Sequence, residues 1–294
     1  MPSMAATPLH EPEVTVARAG AVATVVMNRP TRLNATTDAM GNALEDALLA
    51  QNDDPAVRVI VLTGAGGNFC VGGDIARLDE VLASGGADLV DRAPGNVQPK
   101  FRRIGNDRDE FKNRYMLPAA LDKPVIAAVE GICAGIGIVL ALACDYRIVA
   151  HNATFAAAFP QRGLIAESGI AFLLSRVGGY GLAAKLLLAC RRLDGDAAYH
   201  HHLADELAAP GEALKQAHRL AQEMAATLSP RSAAVIKGQI LAAQHESFAQ
   251  ATQRSFGAMM ESFAHPDFRE GLESFKEKRP ARFRDWPDRE GESA

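Results

Sequence analysis

A basic excess, paired cysteines and an uninterrupted apolar run are all missing from this sequence, and each absence removes a class of function. Lys and Arg total 31 against 35 Asp and Glu, a formal charge of −4. Nucleic-acid binders draw affinity from a surplus of Lys and Arg on phosphates, so no nucleic-acid partner is expected, and a small-molecule substrate is. The four cysteines, Cys70, Cys133, Cys144 and Cys190, show no C-x-x-C spacing and stand among apolar neighbours. That context favours reduced, buried thiols over a disulfide frame or a metal site. No metal is expected at His200, His201 and His202 either. Consecutive side chains point in different directions, and the H-E-x-x-H spacing that puts two imidazoles on one helix face is absent. The longest apolar stretch, Pro124 to Leu142, is interrupted by Glu130, Gly131, Gly135 and Gly137, which suits a buried segment better than a membrane span. Residues 1–13 contain no basic segment followed by an apolar one, so a cytoplasmic location is the expectation.

What is present is an ordinary globular composition, 48% hydrophobic and 22% charged, enough to bury a full core. Residues 1–12 read as a disordered N-terminus. From Val14 two β-branched runs flank Ala19-Gly20, as in a hairpin. Thr37 to Asn52 carries apolar residues at helical spacing, with Thr37 or Asp38 as N-cap. Val57 to Leu62 reads as a buried strand, followed by glycine turns and a helix from Ile75. Val125 to Val129, a glycine-rich turn over 131–137, a helix Ile138 to Ala143 and a strand Tyr146 to Ala150 repeat that order. The alternation predicts an α/β fold of repeated turns without a long parallel run. The charged, Gly- and Pro-rich stretch from Ser84 to Met116 is expected to be a loop or weak helices. After Gly169 the pattern turns helical, with helices over Ile170–Arg176, Gly181–Ala189, Ala213–Thr227, Ala233–Ala264 and Pro266–Lys278 and no strand of convincing length. The organisation expected is a core over 13–205 that holds the site and a helical oligomerisation region over 206–294.

Two glycine turns, FCVGGDI from Phe69 and GICAGIGIVLALACD from Gly131, each deliver the N-terminus of a helix. Unpaired backbone N–H groups and a partial positive charge at such ends suit a developing oxyanion. Neither turn fits a dinucleotide or P-loop spacing.

The pieces MNRPTRLNA, DDPAVRVIVLTGAGGNFCVGGDI, KPVIAAVEGICAGIGIVLALACDYRIVA, FPQRGLIAESGIAFLLSRVGG and DFREGLESFKEKRPARF resemble, in order and spacing, the enoyl-CoA hydratase/isomerase (crotonase) family, over roughly Val14 to Phe283. The resemblance implies a crotonase-like spiral of ββα turns, a C-terminal helical trimerisation region, and a homotrimer or dimer of trimers. It also implies an acyl-CoA substrate, with coenzyme A entering as part of the thioester and no permanently bound cofactor.

Carried over by residue, the two oxyanion donors fall on the backbone N–H groups of Gly73 and Ile136. Ala35, Val71, Asp74 and Ile75 fall where the family lines CoA. Arg32 becomes a candidate for a CoA phosphate, and Lys278 for a contact from the C-terminal segment. The two glutamates of the hydratases fall on Val139 and Phe159, neither of which moves a proton. Glu167 stands where the Δ3,Δ2-enoyl-CoA isomerase branch carries its base, and apolar neighbours should raise its pKa. The reading that follows is double-bond isomerisation with Glu167 as the single base. A hydratase with a non-standard acid/base, or a non-catalytic CoA-thioester-binding homologue, are the alternatives.

Overall fold

A computed structural model of the chain describes residues 11–86 and 113–287. Strands β1 (Val14–Ala19) and β2 (Val22–Met27) form an antiparallel hairpin, with Gly20 at φ 60° in its turn. Helix α1 (Asp38–Asp53) follows, its first turn capped by Thr37, which accepts the Met40 N–H. Then come β3 (Val59–Gly64), α2 (Ile75–Ser84), the short α3 (Leu117–Ala120), β4 (Val125–Val129), β5 (Ile132–Ala134), α4 (Ile136–Ala143), β6 (Tyr146–Ala150) and β7 (Thr154–Ala156). The second half holds α5 (Ile170–Leu187), β8 (Leu193–Asp194), α6 (Gly195–His200), β9 (Glu206–Ala208), α7 (Ala213–Thr227), α8 (Pro230–Ala242), α9 (Phe248–Ala264) and α10 (Pro266–Glu277).

The strands lie in two sheets. One runs β1-β2-β3-β4-β6-β9 and the other β5-β7-β8. Successive turns of chain therefore place β4 and β6 in the large sheet and β5 and β7 in the small one, with α4 closing the first of these turns. From β2 onward every pairing in the large sheet is parallel, which corrects the expectation of no long parallel run. A parallel sheet is covered on both faces, and that is why VATVVM, VIVLTG and VIAAV are near-continuous apolar runs rather than alternating ones. One face meets the main core of α1, α3, α4 and α5. The other meets α7, whose Ala213, Ala217, Ala221 and Ala225 recur every four residues and let the helix lie close on Val59, Val61, Ile126 and Ile148.

Two further expectations meet a different outcome. The helical tail does contain strands, the two-residue β8 and the three-residue β9, too short for any periodicity to announce. The single helix expected over Ala233–Ala264 is two, because Ser247 and Gln250 form a reciprocal capping box that starts α9 afresh. β9 and α7, which follow residue 205, both pack on the large sheet. Helices read at Ile170–Arg176 and Gly181–Ala189 coincide with the two limbs of α5, which Gly179 (φ 77°, ψ 174°) breaks. By length and composition α5 could cross a membrane, but one face of it, with Ile170, Leu174, Leu182 and Leu186, is buried in the core. Most of the stretch from Ser84 to Met116 lies outside the described residues.

A buried lysine locks the helical tail to this core. Lys237, on α8, donates to the carbonyls of Pro118 (2.7 Å) and Lys123 (3.0 Å) and to Asp145 Oδ2 (2.7 Å), while Asp145 also accepts the Val125 N–H. On the opposite, C-terminal side of the strands, two isolated parallel bridges hold the turn after β3, Gly73 pairing with Thr36 of the segment before α1 and Cys70 with Cys133 of β5. Gly137, on the first turn of α4, faces that second bridge so closely that a Cβ there would stand 2.3 Å from the Cys70 carbonyl oxygen. Gly137→Ala should therefore force the two turns apart and lower stability by roughly 1–3 kcal/mol, read from chemical denaturation. A variant as stable as the parent would show that the contact is not tight.

Candidate functional site

The site grows from the two bridges. Thr36 donates its N–H to the Gly72 carbonyl (2.7 Å) and accepts the Asp74 N–H (3.0 Å). In a parallel pairing the residue between those partners turns its own N–H to the other side, so the Gly73 N–H points away from Thr36. Across from it, Gly135 (φ 52°, ψ −118°) turns the chain into α4 and leaves the Ile136 N–H at the first helical position, where no intrahelical acceptor exists. Among the described residues neither N–H meets an acceptor. The two turns touch: a Cβ on Gly72 would lie 3.2 Å from the Ala134 carbonyl oxygen, and one on Gly135 would lie 3.8 Å from the Gly72 Cα. Two donors thus stand side by side at the C-terminal ends of β3 and β5, one aided by the α4 dipole, as a site for negative charge on an oxygen.

The walls are apolar. The Phe159 ring approaches Gly135, its Cζ 3.9 Å from where a Cβ would be. Ile136, Val139 and Phe159 are all buried. Cys70, beneath the first turn, is no nucleophile, because burial pushes its thiol up to about 12 even though the Gly72 N–H bonds to it.

From Phe159 the chain passes through a short turn, closed by Leu164 N–H to the Phe159 carbonyl, to Glu167 and then to α5, which packs on α4. Glu167 precedes the Gly169 N-cap, so it is not a first-turn acid of α5. Its side chain keeps access to solvent, yet the protein around the carboxyl desolvates it and raises its pKa above the ordinary carboxylate value. No hydrogen bond or ion pair engages that carboxyl among the described residues, leaving it free to take a proton.

Of the positions expected to line CoA, the structure brings most to the first turn. Val71 donates its N–H to the Leu33 carbonyl (3.1 Å), next to buried Ala35. Ile75 is exposed at the start of α2, and Arg32 is exposed on the short helical turn Pro30–Arg32. Asp74 is otherwise engaged: it is buried, caps α2 through the Ala76 N–H (3.0 Å) and pairs with Arg29 (2.9 Å). Lys278 is exposed at the C-terminal end of α10, on the helical tail.

Sequence reasoning missed Arg29 and Asn34. Asn34 (φ 56°) is fully buried, donates to the Ala65 and Asn68 carbonyls (2.9 and 2.8 Å) and accepts the Arg29 N–H. An asparagine in a loop that must enter the left-handed region was the available signal.

The enoyl-CoA hydratase/isomerase family model matches residues 17–84 and 76–286. A crotonyl-CoA hydratase of Syntrophomonas wolfei is 32% identical over 267 residues, covering 89% of this chain and 94% of that protein. A 1,2-epoxyphenylacetyl-CoA isomerase of Escherichia coli is 31% identical over 262 residues, with 89% and 94% covered. The crystal structure of an enoyl-CoA hydratase from Polaromonas sp. JS666 superposes with a TM-score of 0.82 at 28% identity, covering 92% of this chain and 99% of that one. Matched by the family model along nearly its whole length and by relatives 31–32% identical, the chain belongs to the enoyl-CoA hydratase/isomerase family, enzymes that act on CoA thioesters.

Proposed function

We propose that the protein isomerises a 3-enoyl-CoA to the 2-enoyl-CoA, with Glu167 as the single base and the Gly73 and Ile136 N–H groups as the oxyanion hole. The observation that carries the reading is the combination of one unpaired, desolvated carboxyl, Glu167, with apolar Val139 and Phe159 on the wall beside the Ile136 donor. Glu167 removes a proton from C2, the thioester oxygen takes up negative charge against the two N–H donors, and the same carboxyl returns the proton to C4 as the double bond moves from C3–C4 to C2–C3. Water plays no part in this transfer, and apolar Phe159 and Val139 offer no group to activate it. Hydration would need a group that activates water as well as one that protonates C2, and a single carboxyl serves that less simply. Hydratases among the relatives make it the second reading, and the product separates the two.

CoA would run along Arg32, Ala35, Val71 and Ile75, with Lys278 approaching from the helical tail. Exposed Phe248, Phe256 and Phe275 on α9 and α10, and the lack of any buried residue on α9, support an assembly in which these helices meet other protomers.

Four outcomes are expected. Purified protein given 3-enoyl-CoA and 2-enoyl-CoA of several chain lengths should yield mainly isomer. Glu167→Gln should lower that rate roughly 10²–10⁴-fold, whereas 3-hydroxyacyl product formed undiminished in the variant would overturn the role of Glu167. Because the base works only ionised and its folded pKa is raised, kcat/KM should fall as pH drops through a value above the ordinary carboxylate range. An acid limb at or below that range would contradict the desolvated base. Sedimentation velocity should give a mass of three or six protomers, and a monomer would refute the assembly.

A further inference from the structure

We propose that Arg29 is a positioning residue that aims the Gly73 N–H and neutralises the charge beside it, acting through Asp74 and the 35–36 segment rather than on the substrate. The proposal rests on the reading of Gly73 as an oxyanion donor. Arg29 follows β2, with its side chain only 17% exposed. Its Nε meets Glu13 Oε1 at 3.1 Å, and its Nη1 donates to Asp74 Oδ2 at 2.9 Å and to the Ala35 carbonyl. Glu13 uses its other oxygen to accept the Thr37 hydroxyl at 2.8 Å, and Thr37 caps α1. One guanidinium therefore joins the residue before β1, the segment before α1 and the turn before α2.

Gly73 has no anchor of its own. A Cβ there would meet nothing within 4 Å, and its peptide is aimed only because Gly72 and Asp74, on either side, both bond to Thr36. The direction of its N–H is inherited from the Arg29–Asp74–Ala35 clamp, and a displacement of about 1 Å in a catalytic group can cost on the order of 10²-fold.

Charge gives Arg29 a second task. The Asp74 carboxyl follows the donor directly in the chain. Burial raises its pKa, but the bonds from Arg29 and the Ala76 N–H outweigh burial and hold it below the ordinary carboxylate value. It is therefore an anion adjoining the place where the thioester oxygen becomes one. Without the guanidinium, that like charge would oppose the dienolate in a poorly hydrated setting. Arg29 cancels it while committing two of its three nitrogens to protein acceptors.

The test reads polarisation without requiring turnover. A conjugated thioester such as cinnamoyl-CoA should show its absorption band displaced to the red on binding the parent protein, as the N–H pair draws charge onto the carbonyl oxygen. In Arg29→Met most of that displacement should vanish and kcat should drop roughly 10–100-fold, with Kd and KM within about threefold. Arg29→Lys, which keeps the charge and one bond, should restore part of both, and it carries the test if the methionine variant does not fold. A full red shift in either variant would overturn the proposal, as would a loss confined to Kd and KM, which would make Arg29 a CoA contact. No shift in the parent protein would instead refute the oxyanion reading itself, and this proposal with it.

Discussion

The two parallel bridges, Thr36 with Gly73 and Cys70 with Cys133, are the constraint on which the rest of this site depends. A backbone N–H seldom goes without an acceptor, because a buried unpaired donor costs free energy. Here two are left open side by side, and both are open because the backbone around them is already bonded. Thr36 saturates the neighbours of Gly73, while Ile136 is orphaned by helix geometry. The Ile136 donor depends on no side chain, and the Gly73 donor is set by backbone bonds to Thr36 that the proposed Arg29 clamp steadies. Gly137 against the Cys70 carbonyl and Asn34 across the Ala65 and Asn68 carbonyls hold the two turns in place.

Around that invariant backbone, the side chains decide which chemistry a captured thioester undergoes. An oxyanion hole stabilises an enolate whatever happens next. The outcome rests on which groups reach C2, C3 and C4; the walls beside the donors are apolar, and in the proposed reading the acting group is Glu167, a carboxyl that desolvation makes more basic. The same scaffold carries proteins named hydratase and isomerase among its relatives, as expected where fold and reaction are only loosely tied.

The buried polar contacts divide the molecule into two ends. At the C-terminal ends of the parallel strands, Arg29, Asp74 and Asn34 serve the site. At the other end, Lys237 and Lys123 serve only the fold. Lys237 satisfies two carbonyls and Asp145, and Lys123 donates to the carbonyls of Gln51 and Asp54 at the end of α1. Burial outweighs the nearby aspartates and lowers the pKa of Lys123 to about 8. That separation follows from the parallel sheet, whose loops at one end are free for function while those at the other are consumed by packing.

Much of this was legible in the residues. The apolar runs of β2, β3 and β4, the periodic face of α1 and the break of α5 at Gly179 are local properties, and local physics announces them. So too were the two glycine turns, whose helix N-termini suit an oxyanion, whereas the role proposed for Glu167 came from the family resemblance and not from its spacing. Three features belonged to the tertiary structure alone. β8 and β9 are strands only because β7 and β6 offer them hydrogen bonds, and two or three residues carry no period to read. The ion pair of Arg29 with Asp74 spans 45 positions, so it exists only once β2 and the turn before α2 meet. The openness of the Gly73 N–H is likewise a fact about Thr36, set by a bridge between distant segments, and no inspection of the glycine itself could have revealed it.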